Sequence, residues 1–274
     1  MHPFDTPDPV SLRVRLGTGS VTVTAADAQT STVDLVPHGA GAEALVDAAT
    51  VTCHGGDLLV DVPRRRGRGD LEIEVVATVP SGSSVTVDTD SADVSTTGTV
   101  DVVRIATGSG DVDVAEATGA VQVSTGSGDV RVGRTEGPTR IGTGSGDVEV
   151  GVVLADLSLK TGSGDLRVRE ARGAVELRSG SGDLTVDDAR GDVVLKSGSG
   201  DLTVGRVGAT RVQATNASGD VEVRVAGDLP AWLDLSTVTG RISSDLDPGE
   251  PADGEPYAEV HATSVSGDVV VGRA

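Results

Sequence analysis

The sequence predicts an all-β protein, a single-stranded parallel β-helix with about 18 residues per coil and right-handed winding. The motif Gly-Ser-Gly-Asp recurs at a constant interval, since its first two copies start at Gly108 and Gly126 and 126 − 108 = 18. Each interval holds two runs in which apolar and polar residues alternate, and a period of two is typical of strands. Because one coil of this length cannot bury its own apolar side chains, the coils must stack. The right-handed winding follows the rule for parallel crossovers.

Residues 1–80 form the irregular N-terminal part of the predicted helix. Residues 10–16 and 70–75 alternate between apolar and polar side chains. We expect these segments to be the first coils, or a cap that protects the open edge of the sheet. A short helix is expected at 40–49. The basic segment 64–68 is predicted to be a solvated loop and a docking position for an acidic partner.

Residues 81–225 hold the regular repeats, and one aspartate per coil marks the turn between the two strands of that coil. We predict that each aspartate bonds nearby backbone N–H groups where the turn meets the strand. The glycine before it is predicted to take a turn conformation that a side chain would strain. The predicted turn ladder consists of Asp93, Asp111, Asp129, Asp147, Asp165, Asp183, Asp201 and Asp220, with Gly110, Gly128, Gly146, Gly164, Gly182 and Gly200.

Alignment of the periods produces inward columns of aliphatic residues and outward columns of charged residues. Val112 and Val130 begin one inward column, and a slip of one residue would turn the whole column toward solvent. An outward column of Lys160, Arg178 and Lys196 is expected to offset the negative charge of the ladder.

Residues 226–274 are expected to close the other end of the coil stack, and the three segments together are predicted to be one structural domain. Trp232 is expected to cap the last coil. The acidic segment 245–256 is rich in Pro and Gly and is therefore predicted to be a solvated loop.

The composition excludes several classes of function. The chain has 22 Lys and Arg against 42 Asp and Glu, a net charge of −20, which argues against binding to nucleic acid or to an anionic membrane. Aromatic residues are 1% of the chain, too few to line a sugar-binding cleft. Cys53 is the single cysteine, so neither an internal disulfide nor a cysteine-based metal centre can form. The sequence shows no signal peptide or transmembrane segment, and a cytoplasmic location is expected.

The spacing of the ladder argues against two kinds of chemistry. Calcium-binding β-rolls repeat G-G-x-G-x-D-x-U-x, whereas here the aspartate follows a glycine directly and occurs once per coil. Stacked aspartates would lie near the ~5–5.5 Å separation of carboxylates in retaining glycosidases. A catalytic pair, however, needs one carboxyl group in a different environment, and no coil differs from its neighbours in that way. We therefore predict no metal, no cofactor and no enzymatic activity. The alternatives are a carbohydrate-active β-helix enzyme, either a hydrolase or a lyase, and a self-assembling scaffold, against which the irregular, polar termini weigh.

Three sequence features together resemble one bacterial family. They are the repeated Ser-Gly-Asp-Val-x-Val, the opening Phe-Asp-Thr-Pro-Asp-Pro-Val at 4–10, and the closing Ala-Trp-Leu-Asp-Leu at 231–235. They resemble a domain-of-unknown-function family with β-strand repeats that is labelled an adhesin family and grouped with toastrack domains, and in particular its short, signal-less actinobacterial members. The resemblance implies a β-helix without known catalytic residues, and a link to cell-envelope stress signalling, which is associated with membrane-anchored relatives. The sequence thus predicts an interaction or scaffold module with an unknown protein partner.

Overall fold

The structure, a computed structural model, describes residues 1–64, 71–246 and 254–274. The chain divides into two compact units, Met1–Pro138 and Thr139–Ala274. In each unit the strands of successive coils pair in parallel, and the regular structure is almost entirely β. The predicted all-β, parallel β-helix class is therefore confirmed. The right-handed winding and the single structural domain stay predictions.

Unit 1 begins with long strands and short antiparallel ones before the regular coils start. Its described elements are β1 (His2–Asp5), β2 (Ser11–Ala26), β3 (Thr30–His38), α1 (Glu43–Asp47), β4 (Thr50–His54), β5 (Asp57–Asp61), β6 (Glu72–Pro80), β7 (Ser84–Val100), β8 (Val103–Ser109), β9 (Val112–Ala117), β10 (Val121–Ser127) and β11 (Val130–Thr135).

The first 80 residues supply both parallel coil strands and an antiparallel border. Strand β2 pairs in parallel with β7 along most of its length, and with β6 over its second half. Strand β3 is antiparallel to β6, β1 is antiparallel to β3, and β4 is antiparallel to β5. The helix α1 lies inside the expected 40–49. Of the expected strand 70–75, the first residue lies outside the described part of the chain and the rest leads into β6.

The regular coils of unit 1 keep the register of the sequence repeat. In the first strand of each coil, Val121 is opposite Val103, and in the second strand Val130 is opposite Val112. Each pair is one sequence period apart, so equivalent aliphatic residues stack directly on one another.

Unit 2 is built from strands that alternate between two parallel stacks. Its described strands are β12 (Thr139–Ser145), β13 (Val148–Val153), β14 (Leu157–Ser163), β15 (Leu166–Ala171), β16 (Val175–Ser181), β17 (Leu184–Ala189), β18 (Val193–Ser199), β19 (Leu202–Val207), β20 (Arg211–Ser218), β21 (Val221–Val225), β22 (Ala231–Thr239), β23 (Ile242–Ser244), β24 (Ala258–Ser266) and β25 (Val269–Arg273).

The order of the strands in space departs from their order in the chain at the end of unit 2. The first-strand stack runs β12, β14, β16, β18, β20, β24, β22, and the second-strand stack runs β13, β15, β17, β19, β21, β25, β23. The last coil of the sequence, β24 and β25, is thus inserted between the preceding coil and the coil formed by β22 and β23. Strands β22 and β23 become the outermost strands.

The interior of unit 2 consists of the predicted aliphatic columns. Leu166, Leu184 and Leu202 are opposite one another in the second-strand stack, and each is at most 1% exposed. Full burial of such a side chain contributes about 1.5–3 kcal/mol. Because every coil repeats this contribution, the columns fix both the register and the stacking of the coils.

Candidate functional site

The ladder aspartates bond to one another through the backbone of the next coil. In unit 2 the backbone N–H of Asp183 donates to Oδ1 of Asp165 at 2.8 Å, and the N–H of Asp201 donates to Oδ1 of Asp183 at 2.7 Å. In unit 1 the N–H of Asp111 donates in the same way to Asp93 at 2.9 Å. These are the contacts that a turn-capping role requires. The further described contacts of this kind are Asp129 to Asp111, Asp165 to Asp147, Asp220 to Asp201 and Asp268 to Asp220.

The glycines before the ladder aspartates lie against the backbone of the neighbouring coil. A Cβ atom at Gly128 would stand 2.1 Å from the carbonyl oxygen of Gly110, and one at Gly182 would stand 2.1 Å from that of Gly164. Gly182 also has a φ of +143°, a conformation that other residues rarely adopt. At Gly128 the close approach of the adjacent coil is therefore the reason for a glycine.

Hydroxyl groups at the end of each first strand face the turn of the preceding coil. Ser197 donates to the carbonyl oxygen of Gly182 at 3.3 Å and to that of Ser199 at 2.9 Å. Thr161 makes the equivalent bond to Gly146 at 3.4 Å. The hydroxyl of Thr125, in contrast, is buried without a hydrogen-bond partner among the described residues. The hydroxyl groups at the ends of the first strands therefore support the turns in some coils only.

A second, interrupted set of aspartates caps the opposite turn of the coil, and sequence reasoning missed it. Oδ1 of Asp156 accepts from the N–H of Ala174 at 3.1 Å, and Oδ1 of Asp192 accepts from the N–H of Arg211 at 3.1 Å. The Arg211 N–H, followed by the hydroxyl of Thr210, lowers the pKa of Asp192. The available signal was an aspartate directly before the first strand in two coils, at Asp156 and Asp192.

The column of cations stands in register but is not paired with the ladder. Lys160, Arg178 and Lys196 are opposite one another on β14, β16 and β18. Arg178 forms an ion pair with Glu176, and neither lysine has an ion pair among the described residues. Any offset of the ladder charge by this column acts through solvent at a distance, where it is screened.

The ladder ends in unit 2 at an arginine that occupies the position of the next aspartate. The N–H of Arg241 donates to Oδ1 of Asp268 at 2.8 Å, and its guanidinium donates to Oδ2 at 3.0 Å. The backbone bond, followed by the guanidinium bond, lowers the pKa of Asp268. Thr-Gly-Arg at 239–241 therefore replaces Ser-Gly-Asp, a correspondence that is readable in the sequence but was not recognised.

Beyond this point no described strand covers the inward column of unit 2. Leu233 and Leu235 are aligned with Val260 and Ala262, which are 0% exposed, yet both leucines are only half-buried. Ile242 is opposite the fully buried Val269 and is itself 49% exposed. The apolar core of unit 2 therefore reaches solvent at β22 and β23.

The expectation that Trp232 caps the last coil is wrong. The side chains of β22 alternate, so Trp232 lies on the outer face while the neighbouring Leu233 points inward. Its ring packs on the ring of His261, with centroids 5.0 Å apart, and is 42% exposed. The indole therefore covers the outer face of the stack and leaves the core open.

A cluster of charged residues surrounds His261 on the same face. Nε2 of His261 lies 2.8 Å from Glu259, and Nδ1 lies 3.2 Å from Asp234. The hydrogen bond with Glu259, followed by the one with Asp234, raises the pKa of His261. The hydrogen bonds from His261 and from Arg211 lower the pKa of Glu259. The cluster is thus internally paired.

A shallow polar groove of about 500 Å³ lies in unit 1 beside Asp93, the first ladder aspartate. His38 and Glu74, which are 3.2 Å apart, line it together with Ser20.

In the described part of the chain no three His, Cys, Asp or Glu side chains are arranged to hold a metal ion. The lone Cys53 is partly exposed and free. Of the basic segment 64–68, Arg64 pairs with Asp88 at 2.9 Å, and the rest lies outside the described residues. No described helix has the length and apolar character of a membrane span.

Comparison with protein families gives a family model that matches nearly all of the chain in two overlapping segments. The model of Toastrack DUF4097 matches residues 11–153 and again residues 138–272. The two matches confirm the resemblance inferred from the repeat and the two ends of the sequence. None of the curated proteins matches the chain.

The solved structures that match this chain share little sequence with it. A "putative adhesin" from Bacteroides fragilis is 12% identical, with 99% of this chain and 95% of that chain covered and a TM-score of 0.31. A "putative lipid binding protein" from Parabacteroides distasonis is 12% identical, with 98% and 95% covered and a TM-score of 0.36. A "putative cell adhesion protein" from Clostridium sporogenes is 9% identical, with 100% and 98% covered and a TM-score of 0.20. At these scores they carry no argument about function.

Proposed function

Because the chain belongs to the Toastrack DUF4097 family, we propose that it is a non-enzymatic interaction module that binds a protein partner through the outermost strands of unit 2. The distribution of exposed apolar side chains carries this proposal. Monomeric proteins rarely expose contiguous apolar surface unless it binds something. Among the described residues, the large hydrophobic side chains that are exposed are Met1, Trp232, Val238, Ile242, Tyr257 and Val265. Trp232 and Val238 lie on β22, and Ile242 lies on β23. Val265 lies on β24, and Tyr257 directly precedes that strand.

The electrostatics of the carboxylates support the absence of catalysis. A general acid of the glycosidase type needs a carboxyl group whose pKa is raised by its surroundings. The carboxyl groups of Asp192, Glu259 and Asp268 instead accept hydrogen bonds that lower their pKa values. The ladder carboxylates also already accept backbone hydrogen bonds from the next coil. Such groups stabilise turns.

The resemblance to membrane-anchored relatives extends the proposal to envelope-associated stress signalling. On this proposal the protein partner has an apolar surface that matches the outermost strands. The cytoplasmic location stays a prediction.

Affinity capture from native lysate with three versions of the full chain tests the proposal. Val238 lies on the outermost strand β22 and is 74% exposed, so Val238→Lys should fold normally and lose the partner. Gln122→Lys makes a charge change on the exposed face of β10 and serves as the control. We expect wild type and Gln122→Lys to recover the same protein and Val238→Lys to lose it. Equal recovery by all three, or no specific partner of the wild type, would contradict binding at this edge. Turnover of a polysaccharide that Asp165→Asn abolishes would contradict the non-enzymatic assignment.

A further inference from the structure

Within the part of the chain that the structure describes, the strands β22 and β23 are free edges. Among the described residues β22 pairs with β24 alone, and β23 pairs with β25 alone. Nine residues long, β22 has no proline or lysine, and Asp234 is its one charged residue. Natural edge strands are usually short or carry charges that prevent pairing with another chain. The border strands β1 and β4 of unit 1, with four and five residues, follow that rule. Strand β22 does not.

The backbone of β22 offers hydrogen-bonding groups on its free side. The carbonyl oxygen of Pro230 accepts from the N–H of Ala258 at 2.9 Å, on the side of β24. Along a strand successive residues direct their backbone groups to alternate sides. The N–H and C=O groups of Leu233, Leu235 and Thr237 therefore point away from β24. A further strand can bond to them.

The exposed inward side chains of β22 and β23 indicate which kind of side chain an added strand must supply. Leu233 and Leu235 are half-buried, and Ile242 is 49% exposed, although the residues aligned with them one coil inward are fully buried. The missing element must supply aliphatic side chains in the first-strand and second-strand stacks at the same time. A coil of the same architecture provides both.

We propose that the occupant is a second copy of this chain, joined edge to edge about a two-fold axis that lies between the two copies of β22. This inference rests on the proposed function and names its partner. An antiparallel β22 pair centred on Leu235 places Leu235 against the partner's Leu235 in the core. On the outer face it places Trp232 opposite the partner's Val238 and Asp234 opposite the partner's Ser236.

This register makes β22 complementary to itself. The two exposed apolar side chains of the outer face, Trp232 and Val238, cover each other, and no carboxylate stands opposite another carboxylate. The residues that meet as hydrogen-bonded pairs are those whose backbone groups point to the free side. A two-fold contact of this kind closes on itself, so the product is a dimer rather than a filament.

Charge substitutions at Ser236 test both the dimer and its register. Ser236 is exposed, so neither Ser236→Asp nor Ser236→Lys threatens the fold. In the dimer Ser236→Asp faces the partner's Asp234 twice and should raise the dissociation constant roughly tenfold, while Ser236→Lys should lower it by a similar factor. Thr263, opposite Ser236 on β24 and also exposed, gives the matched controls Thr263→Asp and Thr263→Lys, which should change the constant far less.

Sedimentation equilibrium of the full chain and its four variants over a wide concentration range provides the readout. A wild-type dimer with opposite responses to the two Ser236 variants supports the inference. A monomer at every concentration, species that grow beyond the dimer, or a dimer that ignores both variants overturns it. If the wild type is monomeric and Val238→Lys still loses a cellular partner, this inference fails and the proposed function stands. If neither association depends on the edge, both fail.

Discussion

The backbone N–H of Asp183 donates a 2.8 Å hydrogen bond to the carboxylate of Asp165, the equivalent residue one coil earlier. The same bond joins Asp201 to Asp183, so each aspartate both caps the next turn and is held by the one before. Like charges are thereby stacked at the strand spacing of about 4.8 Å. The ladder is stabilised by its hydrogen bonds and destabilised by its charge.

Substitutions at Asp165 separate these two effects. Asp165→Asn keeps an acceptor for the Asp183 N–H and removes one charge from the column, so stability at low salt should be unchanged or slightly higher. Asp165→Ala removes the acceptor and should cost about 1 kcal/mol. Chemical denaturation of both variants at low and moderate salt measures the difference. Equal losses for Asn and Ala would show that the carboxylate charge, and not the hydrogen bond, stabilises the turn.

Substitution of a ladder glycine should destabilise the protein. At Gly182, alanine would place its Cβ 2.1 Å from the carbonyl oxygen of Gly164 and would have to adopt a φ of +143°. We expect Gly182→Ala, and likewise Gly128→Ala, to cost about 1 kcal/mol or more. Gly208→Ala is the control, because a Cβ atom at Gly208 would have no neighbouring atom within 4 Å. Thermal denaturation in which Gly182→Ala matched Gly208→Ala would refute the close approach of adjacent coils.

Removal of a hydroxyl group at the end of a first strand should change the stability of the protein by different amounts in different coils. The hydroxyl of Thr125 is buried and has no partner among the described residues, so Thr125→Val should leave stability unchanged or raise it by about 1 kcal/mol. Thr161 donates to Gly146 and also lies 3.1 Å from the Ser163 carbonyl oxygen, so Thr161→Val should lower stability by a similar amount. Urea denaturation of the two variants provides the comparison. Identical effects would mean that the turns do not depend on these bonds.

His261 should make stability depend on pH near neutrality. Its folded pKa is raised above the ordinary 6.5 by Glu259 and then by Asp234. Its contribution is therefore fully present below the unfolded pKa and is lost as the pH rises through the folded pKa. The melting temperature of the wild type should exceed that of His261→Gln by more at pH 5.5 than at pH 8.5. A difference that stayed constant across this range would show that the charged pairs of His261 with Glu259 and Asp234 do not stabilise the folded protein.

The sequence repeat predicts the parts of the fold that depend on constant spacing. Leu166, Leu184 and Leu202 are one period apart, and their stacking follows directly from that spacing. The insertion of β24 between β20 and β22 was not predictable in this way, because Asp268 bonds to Asp220 across 48 residues that include β22 and β23. Local periodicity contains no information about which of two similar strands lies closer. The outward position of Trp232, in contrast, follows from the alternation of side chains along β22.

The central claim is that the ladder is a structural device and not a calcium site, and the melting temperature in calcium tests it most directly. Calcium bound to the native state at 100 times its Kd would add about 2.7 kcal/mol of stability, a rise of roughly 5–11 °C for a chain of this size. The melting temperature should be the same in chelator and in millimolar calcium at matched ionic strength. A rise of that size in calcium that is absent in Asp165→Asn would contradict the account.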